Sequence, residues 1–193
     1  KRFNSIEIEH AFIARTGYTG EDGLEIMLPH DEAQTLWQAL SQAGVIACGL
    51  AARDSLRLEA GLMLNGQDMN ERISPLQCGL DWTISWKASE REFIGKSRLY
   101  LEKEENQYSR LVGLVLEEKA ILRHGQQISS ENRVVGEITS GVFSPLLKKS
   151  IAFARVEMQA INKPLHVNIR GQVYPVKLHA IPFYTHQNKE KKS

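Results

Sequence analysis

The sequence predicts an α+β protein in which a partial α/β body is followed by a small antiparallel β-barrel. Two apolar, strand-like segments, residues 11–14 and 24–28, flank a turn with a glycine at every third position. After residue 107 the sequence pattern changes and predicts five or six short strands without a convincing helix. We therefore predict a body with its linker helix over 1–106, a barrel over 107–185 and a flexible basic tail over 186–193.

Each element of the body has a local signal. Alternating apolar and polar residues predict a strand over 5–9, and the apolar run 45–50 predicts another short strand. Good helix formers predict a helix over 51–60, which Gly61 ends. Before the apolar run 45–50, Asp31 is a suitable N-cap for a predicted helix. The apolar residues of this helix fall at i, i+3, i+4 and i+7: Ala33, Leu36, Trp37 and Leu40.

The linker and barrel patterns follow in order. Alternation predicts a strand over 80–86, and a charged segment predicts a helix over 93–105. Arg170 and Gly171 have the length of a two-residue hairpin loop. The predicted barrel strands lie at 111–116, 134–139, 150–156, 165–169 and 172–178, with polar loops at 139–141 and 143–145.

Composition excludes several function classes. A net charge of +1 gives no bulk field for nucleic acid or a membrane surface. No apolar stretch approaches the roughly 18 residues of a membrane span. Cys48 and Cys78 lie far apart, and no histidine has a partner at metal-ligand spacing, so we expect no metal. The chain starts at Lys1 and opens directly into strand-like sequence, so we expect a longer protein upstream.

The glycine-rich turn is the first candidate binding site. Its spacing matches neither a dinucleotide fingerprint nor a P-loop, and its acids would repel an anion. Glu25 follows within an apolar strand, where a charge is costly unless it is paired. A carboxylate there can clamp a planar N–H pair such as a pterin edge, and Tyr18 can stack on such a ring. The alternative is a plain turn with solvated acids.

Arg53 is the second candidate. Its planar guanidinium suits a ligand carboxylate. Asp54 follows it in the sequence, and the structural alternatives for these two residues are an intrahelical charge pair or a salt bridge to Glu25.

These segments together resemble one family. Residues 15–26, RTGYTGEDGLEI, closely resemble the signature of the glycine cleavage T-protein family, the aminomethyltransferases. Residues 49–61, GLAARDSLRLEAG, match a second family segment nearly throughout. Further matches run in order along the chain at 66–69, 73–76, 93–95, 122–125, 136–145 and 149–152. The resemblance covers the C-terminal half of the family's length.

The resemblance implies a reaction and its participants. In this family the methylene of an aminomethyl group on the lipoyl arm of the H-protein passes to tetrahydrofolate, and ammonia is released. The family's pterin-binding glutamate falls on Glu25, its ring-contacting tyrosine on Tyr18 and its folate-binding arginine on Arg53. The assisting aspartate lies upstream of Lys1, so the resemblance implies no catalytic residue in this chain. The family's last folate contact falls within 182–188, where this tail departs from the pattern.

We therefore expect a chain that alone is inactive and binds folate weakly. Its expected partners are the lipoylated H-protein and the missing N-terminal half, the latter as a separate chain if it is not attached. The alternatives are the folate-binding part of a dimethylglycine or sarcosine dehydrogenase-like enzyme and a non-catalytic folate-binding relative. The expected location is the cytoplasm in a bacterium or the mitochondrial matrix in a eukaryote.

Overall fold

The computed structural model describes residues 1–86 and 91–185. It divides into two compact units, Lys1–Arg57 and Leu58–Ser193. Antiparallel sheets, few helices and a closed barrel confirm the predicted α+β class. The predicted division at 106/107 and the tail role of 186–193 remain predictions, and the tail lies outside the described residues.

The first unit contains a three-stranded antiparallel sheet in the order β1-β2-β3. Its strands are β1 (Ser5–Ile8), β2 (Ala11–Ala14) and β3 (Glu25–Met27). The glycine-rich turn joins β2 to β3, as predicted. The register places Ile6, Ile13 and Ile26 opposite one another, so these three side chains share one face of the sheet.

Helix α1 (His30–Gln42) confirms the periodic pattern, but Asp31 is not its N-cap. The cap position is Pro29, whose side chain offers no hydrogen bond. The predicted strand over 45–50 is wrong, because no strand forms there. Instead, the backbone N–H groups of Ala52 and Arg53 bond to the carbonyl of Gly49 and open helix α2 (Leu50–Glu59), which confirms the predicted helix.

The predicted strand over 80–86 is also wrong. Residues Asp81–Thr83 form a 3₁₀ turn, and the hydroxyl of Thr83 donates to the carbonyl of Leu80 at 2.6 Å. Trp82 is 78% exposed, so the alternating pattern there has no core to face. The next helix, α3 (Lys96–Glu105), begins later than predicted because Gly95 takes a left-handed conformation at its N-terminus.

The second unit contains a closed antiparallel barrel with the strand order β4-β7-β6-β5-β8-β9. This confirms the predicted barrel, and its six strands are the larger of the two predicted numbers. The positive φ values of Arg170 and Gly171 confirm the two-residue hairpin between the last two strands. The barrel strands are β4 (Ser109–Leu116), β5 (Gln127–Ser130), β6 (Arg133–Ser144), β7 (Lys149–Glu157), β8 (Leu165–Ile169) and β9 (Gln172–His179).

The segments 139–141 and 143–145 are not barrel loops as predicted. Strand β6 runs through both up to Ser144, with a register shift between Ile138 and Ser140. Thr139 is the extra residue of this bulge. A bulge turns a side chain out of the ordinary alternation. The hydroxyl of Thr139 donates a hydrogen bond to Oδ1 of the fully buried Asp68 at 2.5 Å.

The barrel interior is apolar and closely packed. Its largest cluster includes Leu114, Leu116, Ile128 and Ile138, all with no exposed surface. A second cluster lies on the opposite face of β4 and β7, where Phe153 stacks on Phe183 with ring centroids 5.8 Å apart. Alternating inward residues from six strands therefore fill the barrel, as expected for one of this size.

Candidate functional site

An ion pair closes the glycine-rich turn. Arg15 donates from Nε and Nη2 to the two carboxylate oxygens of Asp22, at 3.0 and 2.6 Å. The Arg15 hydrogen bond holds the pKa of Asp22 below its usual value. Among the three turn glycines only Gly20 has a positive φ, so the expectation that glycine supplies left-handed backbone holds at that position alone. Asp22 is therefore a paired acid, not a freely solvated one.

Glu25 begins strand β3, and its surroundings differ from the expectation. The whole strand is exposed, so the carboxylate does not bear the cost of a buried charge. The hydroxyl of Thr16 donates to its Oε2. Because the two oxygens of a carboxylate have about four lone-pair sites, this bond orients the group and leaves both oxygens able to accept from a ligand.

Arg53 lies on α2 and contacts Tyr18. Its guanidinium carbon is 4.5 Å from the centroid of the tyrosine ring, which is a cation–π contact. Asp54 pairs instead with Nε of Arg57, one turn along the same helix, at 2.8 Å. Within residues 1–86 and 91–185, no ion pair joins Arg53 to Asp54 or to Glu25. Asp54 therefore makes an intrahelical charge pair, as the first structural alternative expected, with Arg57 as its partner. The second alternative, a salt bridge from Arg53 to Glu25, does not form among the described residues.

The structure thus brings together two of the three predicted site residues, Tyr18 and Arg53. It holds Glu25 through Thr16, a contact that the sequence reasoning did not identify. The signal for it was available: the hairpin pairs Ala14 with Glu25, so a hydroxyl two residues beyond Ala14 lies close to the carboxylate. A tyrosine ring, a guanidinium and an oriented carboxylate can bind a flat, polar, anionic molecule.

Two further features of the described part of the chain concern metal ions and membranes. No group of three or more His, Cys, Asp or Glu side chains there is arranged to hold a metal ion. No helix there is both long and apolar enough to cross a membrane.

Two domain families match the chain in sequence. The GCVT N-terminal domain matches residues 2–88, and the glycine cleavage T-protein C-terminal barrel domain matches residues 110–185. The chain belongs to the glycine cleavage T-protein family. An aminomethyltransferase of Methylococcus capsulatus is 53% identical over 173 residues, which cover 90% of this chain and 48% of that protein. One from Pseudomonas syringae pv. tomato is 51% identical, covering 96% of this chain and 51% of that protein.

Solved T-protein structures agree with the sequence matches. The glycine cleavage system aminomethyltransferase T from Bartonella henselae superposes with a TM-score of 0.87 at 32% identity. The match covers 95% of this chain and 52% of that structure. This T-protein chain therefore spans about half the length of the relatives it matches.

Proposed function

We propose that this chain provides folate-binding residues to an aminomethyltransferase of the glycine cleavage system. The whole reaction moves the methylene of an aminomethyl group on the lipoylated H-protein to tetrahydrofolate and releases ammonia. The observation that supports this most directly is the Arg53–Tyr18 contact next to the glycine-rich turn, in a chain of this family. The aminomethyltransferase relatives favour this reading over the dehydrogenase-like and non-catalytic alternatives.

Each side chain has a role that fits its surroundings. Glu25, oriented by Thr16, accepts paired N–H groups from the pterin edge. Tyr18 presents an aromatic ring to the flat pterin. Arg53 combines a charge with a planar fork and binds the carboxylate-bearing tail. When the ligand binds, the Arg53 guanidinium either keeps its contact with the Tyr18 ring or leaves the ring to pair with the ligand carboxylate.

The reaction depends mainly on how the two reactants are positioned. The nucleophilic nitrogen of tetrahydrofolate must lie against the aminomethyl carbon, which lowers the entropic part of the barrier. A nearby carboxylate stabilises the positive charge that develops there. In this family that carboxylate belongs to an aspartate outside this chain, so we propose that the chain alone has no transferase activity. The bacterial relatives favour a cytoplasmic location.

The test uses a single-chain fusion in which the unmatched portion of the M. capsulatus enzyme is joined to this chain. Glu25→Gln and Arg53→Ala should each weaken tetrahydrofolate binding about 10- to 100-fold, because each removes a charge-assisted hydrogen bond worth about 1.5–3 kcal/mol. Isothermal titration measures the affinity. Glu32→Gln and Arg98→Ala, at exposed positions outside the site, are the matched controls.

Unchanged affinity in both site variants would contradict the proposed folate contacts. A second assay supplies aminomethyl-loaded H-protein and tetrahydrofolate and measures ammonia. We expect release with the fusion and none with this chain alone. Release by the chain alone would show that its own residues complete the reaction.

A further inference from the structure

The second unit contains a cleft that the proposed folate contacts do not use. The cleft has a volume of about 970 Å³ and lies between residues 71–77, 83–85 and 91–109. All of its lining residues belong to the second unit, whereas the proposed folate contacts belong to the first. Clefts of roughly 300–1,000 Å³ are the usual sites of small molecules in proteins. This cleft is therefore a second candidate binding site.

Hydrogen bonds hold the walls of the cleft in place. Glu102 on α3 accepts from the hydroxyl of Ser74 at 2.8 Å and from the side-chain amide of Gln77 at 2.7 Å. These bonds tie the helix to the loop that forms the facing wall. The ammonium group of Lys96 donates to the carbonyl of Arg91 at 2.9 Å and so fixes the segment that enters the helix. The cleft is therefore preformed, as small-molecule sites usually are.

The charges that line the cleft are divided along α3. Arg91 precedes the helix, Arg98 lies in its first turn, and Glu105 is its last residue. Arg98 and Glu105 are seven residues apart, which places them on one face of the helix and about 10 Å apart along its axis. One end of the cleft therefore suits an anionic group, and the other end can accept hydrogen bonds from N–H or O–H donors.

The guanidinium groups at the basic end are open to a ligand. Arg91 and Arg98 are exposed and form no ion pair with any residue that the structure describes. Arg72 also lines the cleft, but the acidic Glu71 precedes it in the same wall. A guanidinium forks onto phosphate oxygens with paired hydrogen bonds. A phosphate monoester carries about two negative charges near pH 7, so it suits two arginines better than a single carboxylate does.

Apolar side chains complete the lining. Phe93 and Tyr108 contribute aromatic rings, and Ile73, Ile84 and Leu99 contribute aliphatic surface. All five are partly buried, so each still has surface that a ligand can cover. A flat aromatic ring placed against them would lose apolar area from water. The lining therefore fits a ligand that combines an aromatic body with a phosphate at one end and hydrogen-bond donors at the other.

We propose that this cleft binds a nucleoside monophosphate. Arg91 and Arg98 bind the phosphate, the apolar side chains contact the base, and Glu105 accepts hydrogen bonds from hydroxyl or amino groups at the far end. The site is additional to folate binding and does not depend on it.

Isothermal titration of this chain with AMP tests the proposal, and adenosine and inorganic phosphate serve as the two partial ligands. We expect AMP to bind at a single site. Each partial ligand should bind at least about tenfold more weakly, because each lacks one set of contacts. If AMP does not bind, the proposal is overturned. It is also overturned if inorganic phosphate binds as tightly as AMP, which would indicate a general anion site.

Two variants test the two ends of the cleft separately. Arg98→Ala should weaken the binding of both AMP and inorganic phosphate at least about tenfold, because it removes a charge-assisted hydrogen bond. Glu105→Gln should weaken AMP binding about threefold or more and leave phosphate binding unchanged, because a neutral amide is the weaker acceptor. Arg123→Ala is the matched control: it removes an exposed arginine outside the cleft and should change affinity less than about twofold.

Circular dichroism checks that each variant folds. Wild-type AMP affinity in Arg98→Ala would contradict the assigned phosphate contact. The titration is repeated with the fusion that carries the unmatched portion of the M. capsulatus enzyme, and we expect the same AMP affinity there. Loss of AMP binding in the fusion would mean that this portion covers the cleft. Weaker tetrahydrofolate binding by Arg98→Ala in the fusion would assign the cleft to folate instead. Failure of the folate contacts at Glu25 and Arg53 would leave the AMP results unaffected.

Discussion

The barrel buries a continuous apolar core, whereas residues 1–57 bury no apolar side chain. Both regions have strands with apolar residues in alternation, so composition does not distinguish them. The difference is closure. The six barrel strands turn one face inward, whereas the open three-stranded sheet leaves Ile6, Ile8 and Ile26 55%, 51% and 39% exposed. Burial of apolar area is the dominant stabilising term in folding. Stability should therefore reside in the barrel.

The largest contrast should come from aromatic truncation. Phe153 is fully buried against Phe183, so Phe153→Ala should cost about 3–5 kcal/mol through lost burial and a cavity. Trp37→Ala removes a larger but exposed ring of α1 and should change stability by less than about 0.5 kcal/mol. Urea denaturation followed by circular dichroism measures both. Equal effects would mean that residues 1–57 contribute a core of their own.

Glycine-to-alanine substitutions should give the next largest difference in stability between the two regions. A Cβ at Gly136 in β6 would lie 2.2 Å from the carbonyl oxygen of Arg155 on the neighbouring strand. Gly136→Ala should therefore cost about 3 kcal/mol, the upper end for overpacking, because backbone must move. At Gly17 no atom lies within 4 Å of such a Cβ, and its φ is not positive.

Gly17→Ala should accordingly leave the free energy of unfolding unchanged or raise it by up to about 1 kcal/mol. The same denaturation series compares the two variants. If Gly136→Ala unfolds with the wild-type midpoint, the close approach of β6 and β7 is not a constraint on the barrel.

Buried polar contacts should give an intermediate contrast. Asp68 accepts from the Thr139 hydroxyl and from the backbone N–H of Leu64. Asp68→Ala leaves these donors buried without that acceptor and should cost about 2 kcal/mol. Asp31→Ala in α1 removes an exposed carboxylate that makes no capping bond and should stay within about 0.5 kcal/mol. A similar loss of unfolding free energy in both variants would mean that the buried contacts of Asp68 stabilise the protein no more than the exposed Asp31 does.

Exposed ion pairs should differ least between the regions. Arg15 lowers the pKa of Asp22 in the first unit, and Lys149 lowers that of Glu117 beside the barrel, in each case first through a hydrogen bond. A carboxyl pKa lowered by folding adds stability that is complete above the unfolded pKa and is lost as pH falls through the folded pKa.

Both contributions should therefore be complete at neutral pH and should decline as the pH falls below about 4. Carboxyl NMR titration should show Arg15→Ala raising the pKa of Asp22 towards its ordinary value, with Glu117 unaffected. Lys149→Ala should do the reverse. A pKa of Asp22 that does not move would mean that Arg15 is not its partner in solution.

The sequence predicted most elements where local pattern and burial agree. Five of the barrel strands and the hairpin at Arg170 and Gly171 were predicted from alternation and turn length, whereas β5 was not located in the sequence. The apolar run over 45–50 and the alternating pattern over 80–86 did not form strands, because such patterns specify a strand only when a partner strand and a core are available. Trp82 shows this, since it keeps the pattern while remaining exposed.

The candidate site was predicted in part for a related reason. Tyr18 and Arg53 were identified from residue chemistry and family resemblance, and the structure places them in contact. The Thr16 bond to Glu25 depends on hairpin register, which the sequence did not specify closely enough. The buried Asp68–Thr139 bond links residues 71 positions apart and needs the bulge in β6. Long-range polar contacts of that kind have no local pattern.

The position of Glu25 has a consequence for colloidal behaviour. Strand β3 is an edge strand, and negative charges on such edges oppose the stacking of copies into larger aggregates. Glu7 stands in the same relation on the opposite edge, within β1. Replacing Glu25 by glutamine therefore removes a repulsive charge as well as the proposed ligand contact. The carboxylate proposed to bind folate should also help to keep this open sheet from aggregating in solution.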